Sequence, residues 1–521
     1  MGVRFSVEPL PPHPSLEHQQ KLAKRLLREV WAGATEAIER VQAFLPGRFS
    51  SPGHLESMKL HDAQRVVARS YGFESWAAMK RKIESLTRTP LQQFDAAVRE
   101  GDAALARELL ARHAELRTKI NEPRFDFDSP ALHQAKGNLP LVDVLLEYGA
   151  DINARSTFWA GSFGILEHGI TLDGAKPLIE RGAKLTIWAA AGLGLVQDLK
   201  AILAATPGVV HERGGDGKTA LHCAATREIA EILVNAGAEL DARDRDHNAT
   251  PLQYLIGDEE IVKLLIERGA SVDLFAVARW GDSPLVERCL RDDPASADER
   301  IGRGKFTAPG LHIYGWTLGL GQTLGFDLSP ADVARKFGHP QIAEKIVSRL
   351  SPEARLADAL WCGDRERARA EISQRPNAVQ EMHPADRSLL ASAAWWYRPE
   401  SVRLMLEVGM DPHVPGAHRS TPLDRASFHG YADIVSMLLE EDPHPPITDR
   451  NEFGGIPLGA CVYGALNGWK TGFPQDHART LTLLLEAGSP LDPTLLPTGN
   501  DELDSVMRQW LKKETERHGN T

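Results

Sequence analysis

The residues best suited to chemistry fall in two stretches. Asp246-His247 with Gln253-Tyr254 is the first, and His312, Tyr314 and Trp316 form the second. An imidazole titrates near neutrality and a neighbouring carboxylate fixes its tautomer, so Asp246, His247 and His312 are the candidates for acid/base work if the stretches converge. The same three residues offer the nitrogen and oxygen donors of a metal site. Tyr254, Tyr314 and Trp316 would then line the site as ligand- or partner-binding rings. A plainer reading stands beside both. Asp246 and His247 tie a loop by hydrogen bonds, while Tyr314 and Trp316 plug their stretch onto its neighbours. On balance no metal and no cofactor is assigned.

Trp395-Trp396-Tyr397 is a third place of interest. Adjacent side chains on a helix point to different faces. One Trp is therefore expected in the core and the other as an exposed anchor for a protein partner. Phosphate-cradling loops, zinc-protease helices and nucleophile elbows have no match in the chain. Gly319-Leu320-Gly321 with Gly325 has a spacing one residue too long for a dinucleotide fingerprint and follows no clear strand.

The elements that must position these residues repeat. Thr219-Ala220-Leu221-His222 recurs as Thr250-Pro251-Leu252-Gln253, Ile229, Ile232 and Leu233 as Ile261, Leu264 and Leu265, and Gly237-Ala238 as Gly269-Ala270. The period is about 32 residues, the mark of a stacked array. Apolar residues at i, i+3 and i+4 predict a helix with one buried stripe. Thr-Pro-Leu opens the helix before it, and the Gly after it ends it left-handed. This pattern resembles the ankyrin repeat. The resemblance implies a turn, a short inner helix, a longer outer helix and a loop, stacked because one repeat cannot bury its own apolar face. It also implies structural roles for His133 and His222 in bonding the adjacent loop, and for His339 in the inter-helix turn.

The expected fold is all-α, an ankyrin-repeat solenoid of about twelve helix-turn-helix repeats with a small N-terminal helical module. The expected boundaries are a flexible arm over 1–14, the helical cap module over 15–89, a first block of repeats over 90–350, a second over 351–493, and a capping helix and tail over 494–521. Residues 90–493 are expected to run as one superhelix, with a possible kink at Ser351-Pro352. The module, with Asp62-Ala63-Gln64, Ala68-Arg69 and Gly72-Phe73 followed by Ser75-Trp76, resembles one found before ankyrin arrays in bacterial proteins. Gly454-Gly455-Ile456-Pro457-Leu458-Gly459, with the runs at 244–254, 312–319 and 331–339, is similar to one group of bacterial ankyrin proteins.

Departures from the repeat are informative. The inner-to-outer turn is about three residues short after Ala225 and after Leu255, which should alter local curvature. Residues 303–329 insert aromatic and glycine residues where a short loop belongs, and are expected to fold back over the concave face beside the shortened repeats. A long connection over 462–477 carries Trp469 and Phe473.

A hydrophobic content of 42%, a charged content of 25% and a net charge of −11 describe a soluble globular chain and argue against wholesale nucleic-acid binding. Lys80-Arg81-Lys82 is accordingly read as a solvated face. Four scattered cysteines signal neither disulfide framework nor zinc cluster. Without a long apolar run, no membrane partner and a cytoplasmic location are expected. The expected function is protein binding through the concave groove, with no chemistry required. The alternative is an enzyme or small-ligand receptor built around Asp246, His247, His312 and Trp316.

Overall fold

The structure, a computed structural model, describes residues 6–11, 14–46, 49, 55, 58–308, 312–314, 327–441, 445, 447–468 and 470–518. Trp316, Trp469, the glycines at 319, 321 and 325, and most of the 303–329 insertion lie outside the described residues. The chain divides into two compact units, Arg88–Leu350 and a second made of Met1–Thr87 with Ser351–Thr521.

Arg88–Leu350 is a succession of helical hairpins. Its helices include Pro90–Glu100 with Ala103–Arg112, Ala131–Ala135 with Leu139–Glu147, Ile187–Gly192 with Val196–Ala205, and Leu274–Trp280 with Ser283–Asp292. Each forms for local reasons. Asp102, Asn138, Asp258 and Asp282 cap outer helices by accepting a backbone N–H three residues on. Ile229, Leu233, Ile261, Leu264 and Leu265 form the buried stripes of their outer helices. Gly237 and Gly269 leave those helices at φ +93° and +96°, a conformation that costs a side chain and not a glycine.

The two shortened turns leave shortened inner helices. Ala220–Cys223 closes as a single 3-10 turn and Pro251–Tyr254 as a single α-turn, because the outer helices Arg227–Asn235 and Glu259–Glu267 begin almost at once. The roots of the insertion are joined: Ile301 N donates to Leu328 O at 3.0 Å and Asp327 N to Ile301 O at 3.1 Å.

In the other unit, the helices Leu16–Trp31, Thr35–Phe44, Leu60–Ser70 and Trp76–Thr87 enclose their own core of Leu26, Leu27, Val41, Val66, Val67, Met79 and Ile83. The hairpins Pro352–Cys362 with Arg365–Gln374, Leu389–Trp395 with Pro399–Glu407, Pro422–His429 with Ala432–Leu439, and Pro457–Asn467 with His477–Glu486 follow. The helix Asp501–His518 ends the stack and also meets the N-terminal helices. Arg508 lies 4.0 Å over the Trp31 ring, and Lys59 pairs with Asp501. Among the described residues no helix is long and apolar enough to cross a membrane.

Candidate functional site

The loops before Thr219 and Thr250 are turns of consecutive repeats, held together through the backbone. Asp216 O accepts Arg245 N at 2.8 Å and Asp246 N at 3.3 Å. Within the second turn the organiser is Asp244. Its carboxylate accepts His247 N at 2.8 Å, Ala249 N at 2.7 Å and the Tyr254 hydroxyl at 3.1 Å. His222 reaches the same turn, its Nε2 lying 3.1 Å from Ala249 O, and His133 does likewise with Ala154 O at 2.9 Å. His339 Nε2 lies 3.0 Å from Arg279 O. These are the structural roles expected for the three histidines.

Asp246 and His247 are neighbours, with Nε2 of the imidazole 3.6 Å from the Asp246 carboxylate. Tyr254 lies between the two imidazoles, its ring centre 5.3 Å from His222 and 6.0 Å from His247, with the Lys218 ammonium 4.6 Å above it.

The described part of the insertion packs against this region. Asn248 Nδ2 donates to Thr307 O at 3.1 Å. Tyr314 is buried and donates its hydroxyl to Asp273 Oδ2 at 2.8 Å, and the same oxygen accepts Gln253 Nε2 at 2.9 Å. Phe275, Phe306, His312 and Tyr314 form one ring cluster, with centres 4.7 to 6.0 Å apart. His312 is buried in that cluster, near enough to Arg243, Asp244 and His247 to feel their charges.

Burial sets the protonation of this region. It pushes the imidazoles of His222 and His312 down to about 4, so both are neutral at physiological pH. Burial, then the Asp244 carboxylate, hold the Tyr254 phenol protonated, and burial with Asp273 does the same for Tyr314. Both phenols therefore act as fixed hydrogen-bond donors that clamp a turn and the insertion. Burial also raises the Asp246 carboxyl, with Asp216 and Asp244 adding to the effect.

Asp244, Asp273, Phe275 and Phe306 were not singled out by their sequence context. Asp244 carried a signal, since an Asp ahead of a turn with a left-handed residue, here Asn248 at φ +50°, commonly bonds the turn's own amides. Asp273 carried only the ordinary signal of a helix cap.

The other compact unit presents a different arrangement. Trp395, Phe428 and Tyr463 occupy one register in three consecutive inner helices. Their rings form a series, Trp395 to Phe428 at 5.7 Å with near-parallel planes and Phe428 to Tyr463 at 6.2 Å. Trp395 and Phe428 are half-buried, whereas Trp396 and Tyr463 are 40% and 60% exposed. Arg425 lies 5.4 Å from the Trp395 ring centre.

Stacked helical hairpins, capped turns and histidines that bond the next turn define a repeat protein of the ankyrin class. The family model of three ankyrin repeats matches residues 186–276, and the single-repeat model matches 129–157. Residues 129–157 and 186–276 are thus ankyrin repeats. Among curated proteins the chain is similar to the E3 ubiquitin-protein ligase KEG of Arabidopsis thaliana, 25% identical over 360 residues that cover 59% of this chain and 21% of the relative. It is also similar to the ankyrin repeat and KH domain-containing protein mask-1 of Caenorhabditis elegans, 25% identical over 295 residues, 52% of this chain and 11% of the relative. The chain thus spans about a fifth and about a tenth of the length of these relatives. A crystal structure of the human ASB11 ankyrin repeat domain aligns over 59% of this chain and 100% of its own, at 16% identity and a TM-score of 0.22.

Proposed function

We propose that the chain is an interaction protein that binds a protein partner along the inner helices Leu389–Trp395, Pro422–His429 and Pro457–Asn467. The aromatic series at one register carries this reading. Stacked repeats bring equivalent positions of neighbouring helices side by side, so a ring repeated at one register becomes a continuous apolar strip. Tyr463 projects from this strip into solvent, and Trp396, the residue that caps the first of these helices, is exposed as well; large rings so placed suit a partner that covers them. Trp and Tyr are also the side chains that most often anchor protein interfaces. Tyr254 and Tyr314 take no part in this reading, because their hydroxyls are engaged inside the fold.

The test is affinity capture with the full chain followed by a measured Kd for the captured protein. Trp396→Ala with Tyr463→Ala should weaken binding by about thirtyfold or more, the loss of one strong anchor. Trp159→Ala, an exposed ring in Arg88–Leu350, should leave it unchanged. Unchanged affinity in the double variant would sink the proposal.

A further inference from the structure

The turns before Thr219 and Thr250 hold three groups that protein binding does not use. Asp216 stands three residues before Thr219, and His247 stands three before Thr250, so the stack sets them at equivalent points of consecutive turns. The two backbone bonds to Asp216 O clamp these turns and carry the Asp246 side chain to the same place. One carboxylate oxygen of Asp216, one of Asp246 and one ring nitrogen of His247 lie within 4.8 Å of one another. A zinc-like ion binds nitrogen and oxygen donors at about 2.0–2.2 Å, which keeps its ligands about 3–4 Å apart. The three atoms therefore surround a volume that small side-chain rotations would close on an ion.

A separate observation points to a ligand there. Asp216 is only 5% exposed, and its two oxygens differ. Oδ2 pairs with Lys218 Nζ at 2.8 Å, whereas Oδ1 is buried with no hydrogen-bond partner. A buried carboxylate oxygen without a donor is costly. A cation held through Oδ1 would satisfy that oxygen and leave the Lys218 pair intact. Charge favours it as well, since Asp216, Asp244 and Asp246 are drawn together in a poorly solvated turn.

We propose that Asp216, Asp246 and His247 form a site for a divalent first-row transition cation, of the zinc or manganese kind, that pins two consecutive turns together. One imidazole with two carboxylates suits such an ion better than calcium or magnesium, which take oxygen donors, or cuprous copper, which takes sulfur. His312 lies outside this donor set.

The experiment uses the full chain after chelator treatment and gel filtration, titrated with Co²⁺ as a spectroscopic probe and then with Zn²⁺. The expected result is one ion bound, a Co²⁺ spectrum without a thiolate charge-transfer band, displacement by Zn²⁺, and a higher melting midpoint with metal. Asp216→Asn keeps the side-chain shape and should weaken binding by at least about tenfold. Should that variant fail to fold, Asp246→Asn, at the more exposed ligand, decides the matter by the same measure. Cys223→Ser controls for a thiol near Asp216 and should bind as the parent does. No Co²⁺ binding by the parent chain, full-affinity binding by both Asn variants, or loss of binding in Cys223→Ser would each overturn the site.

Discussion

Replacing Tyr314 by Phe removes one hydroxyl and leaves the ring cluster in place. That hydroxyl donates to Asp273 Oδ2 at 2.8 Å inside the fold. Oδ2 also accepts Gln253 Nε2 at 2.9 Å, and Oδ1 caps the helix Leu274–Trp280 by accepting Ala276 N at 3.0 Å. A hydrogen bond to a charged group contributes about 1.5–3 kcal/mol. Gln253 remains as a donor, so Asp273 is not orphaned, and the loss should fall near the lower end, about 1.5–2 kcal/mol. For a unit of this size that lowers the melting midpoint by roughly 3–8 °C. Asp273→Asn is the companion change. It keeps the helix cap, because Asn caps as well as Asp, but removes the charge that the hydroxyl meets. Thermal and urea unfolding of the parent, both single variants and the double variant complete the cycle. The two changes should couple by about 1 kcal/mol or more, because they remove the same bond. A Tyr314→Phe loss under about 0.5 kcal/mol, or strictly additive losses, would refute the clamp between the insertion and its neighbouring repeat.

Three further outcomes are expected. Leu233→Ala and Leu265→Ala, each at a fully buried outer-helix position, should cost about 2–5 kcal/mol apiece in thermal melts; shifts within about 1 °C would contradict the buried stripe. Asp244→Ala leaves the amides of His247 and Ala249 and the Tyr254 hydroxyl without their acceptor, so a loss of about 3 kcal/mol or more is expected; a loss under about 1 kcal/mol in urea unfolding would show that the turn holds itself without Asp244. The third outcome concerns pH. His222 and His312 fall from 6.5 to about 4 on burial, so the unfolded chain binds protons that the folded chain refuses. Stability should therefore drop as pH falls from 6.5 to 4, by up to about 3 kcal/mol for each histidine. The raised carboxyls of Asp246 and Glu299 act in the opposite sense. His312→Gln should flatten the fall, and an unchanged slope of melting midpoint against pH would refute the assignment.

The period, the capping residues and the left-handed glycines were legible in the sequence because each acts on its own few residues. A Thr-Pro-Leu start or a Gly at a helix end is a local event, and a buried stripe repeats every turn. The shortened inner helices follow from the same local count, since Ala225 and Leu255 leave no room for a longer one. Even the aromatic series was written there, as Trp395, Phe428 and Tyr463 at one point of consecutive repeats, although only stacking makes neighbours of residues a full repeat apart. The tertiary structure alone decided which charged groups meet. Tyr314 and Asp273 are 41 positions apart and belong to different segments, so no periodicity pairs them. Asp216 joins Asp246 and His247, and His312 does not, because backbone bonds clamp two turns while His312 is taken up by the rings of Phe306 and Tyr314. Sequence spacing fixes which residues share a face of one helix, but the distance between side chains on different repeats depends on how closely the turns pack.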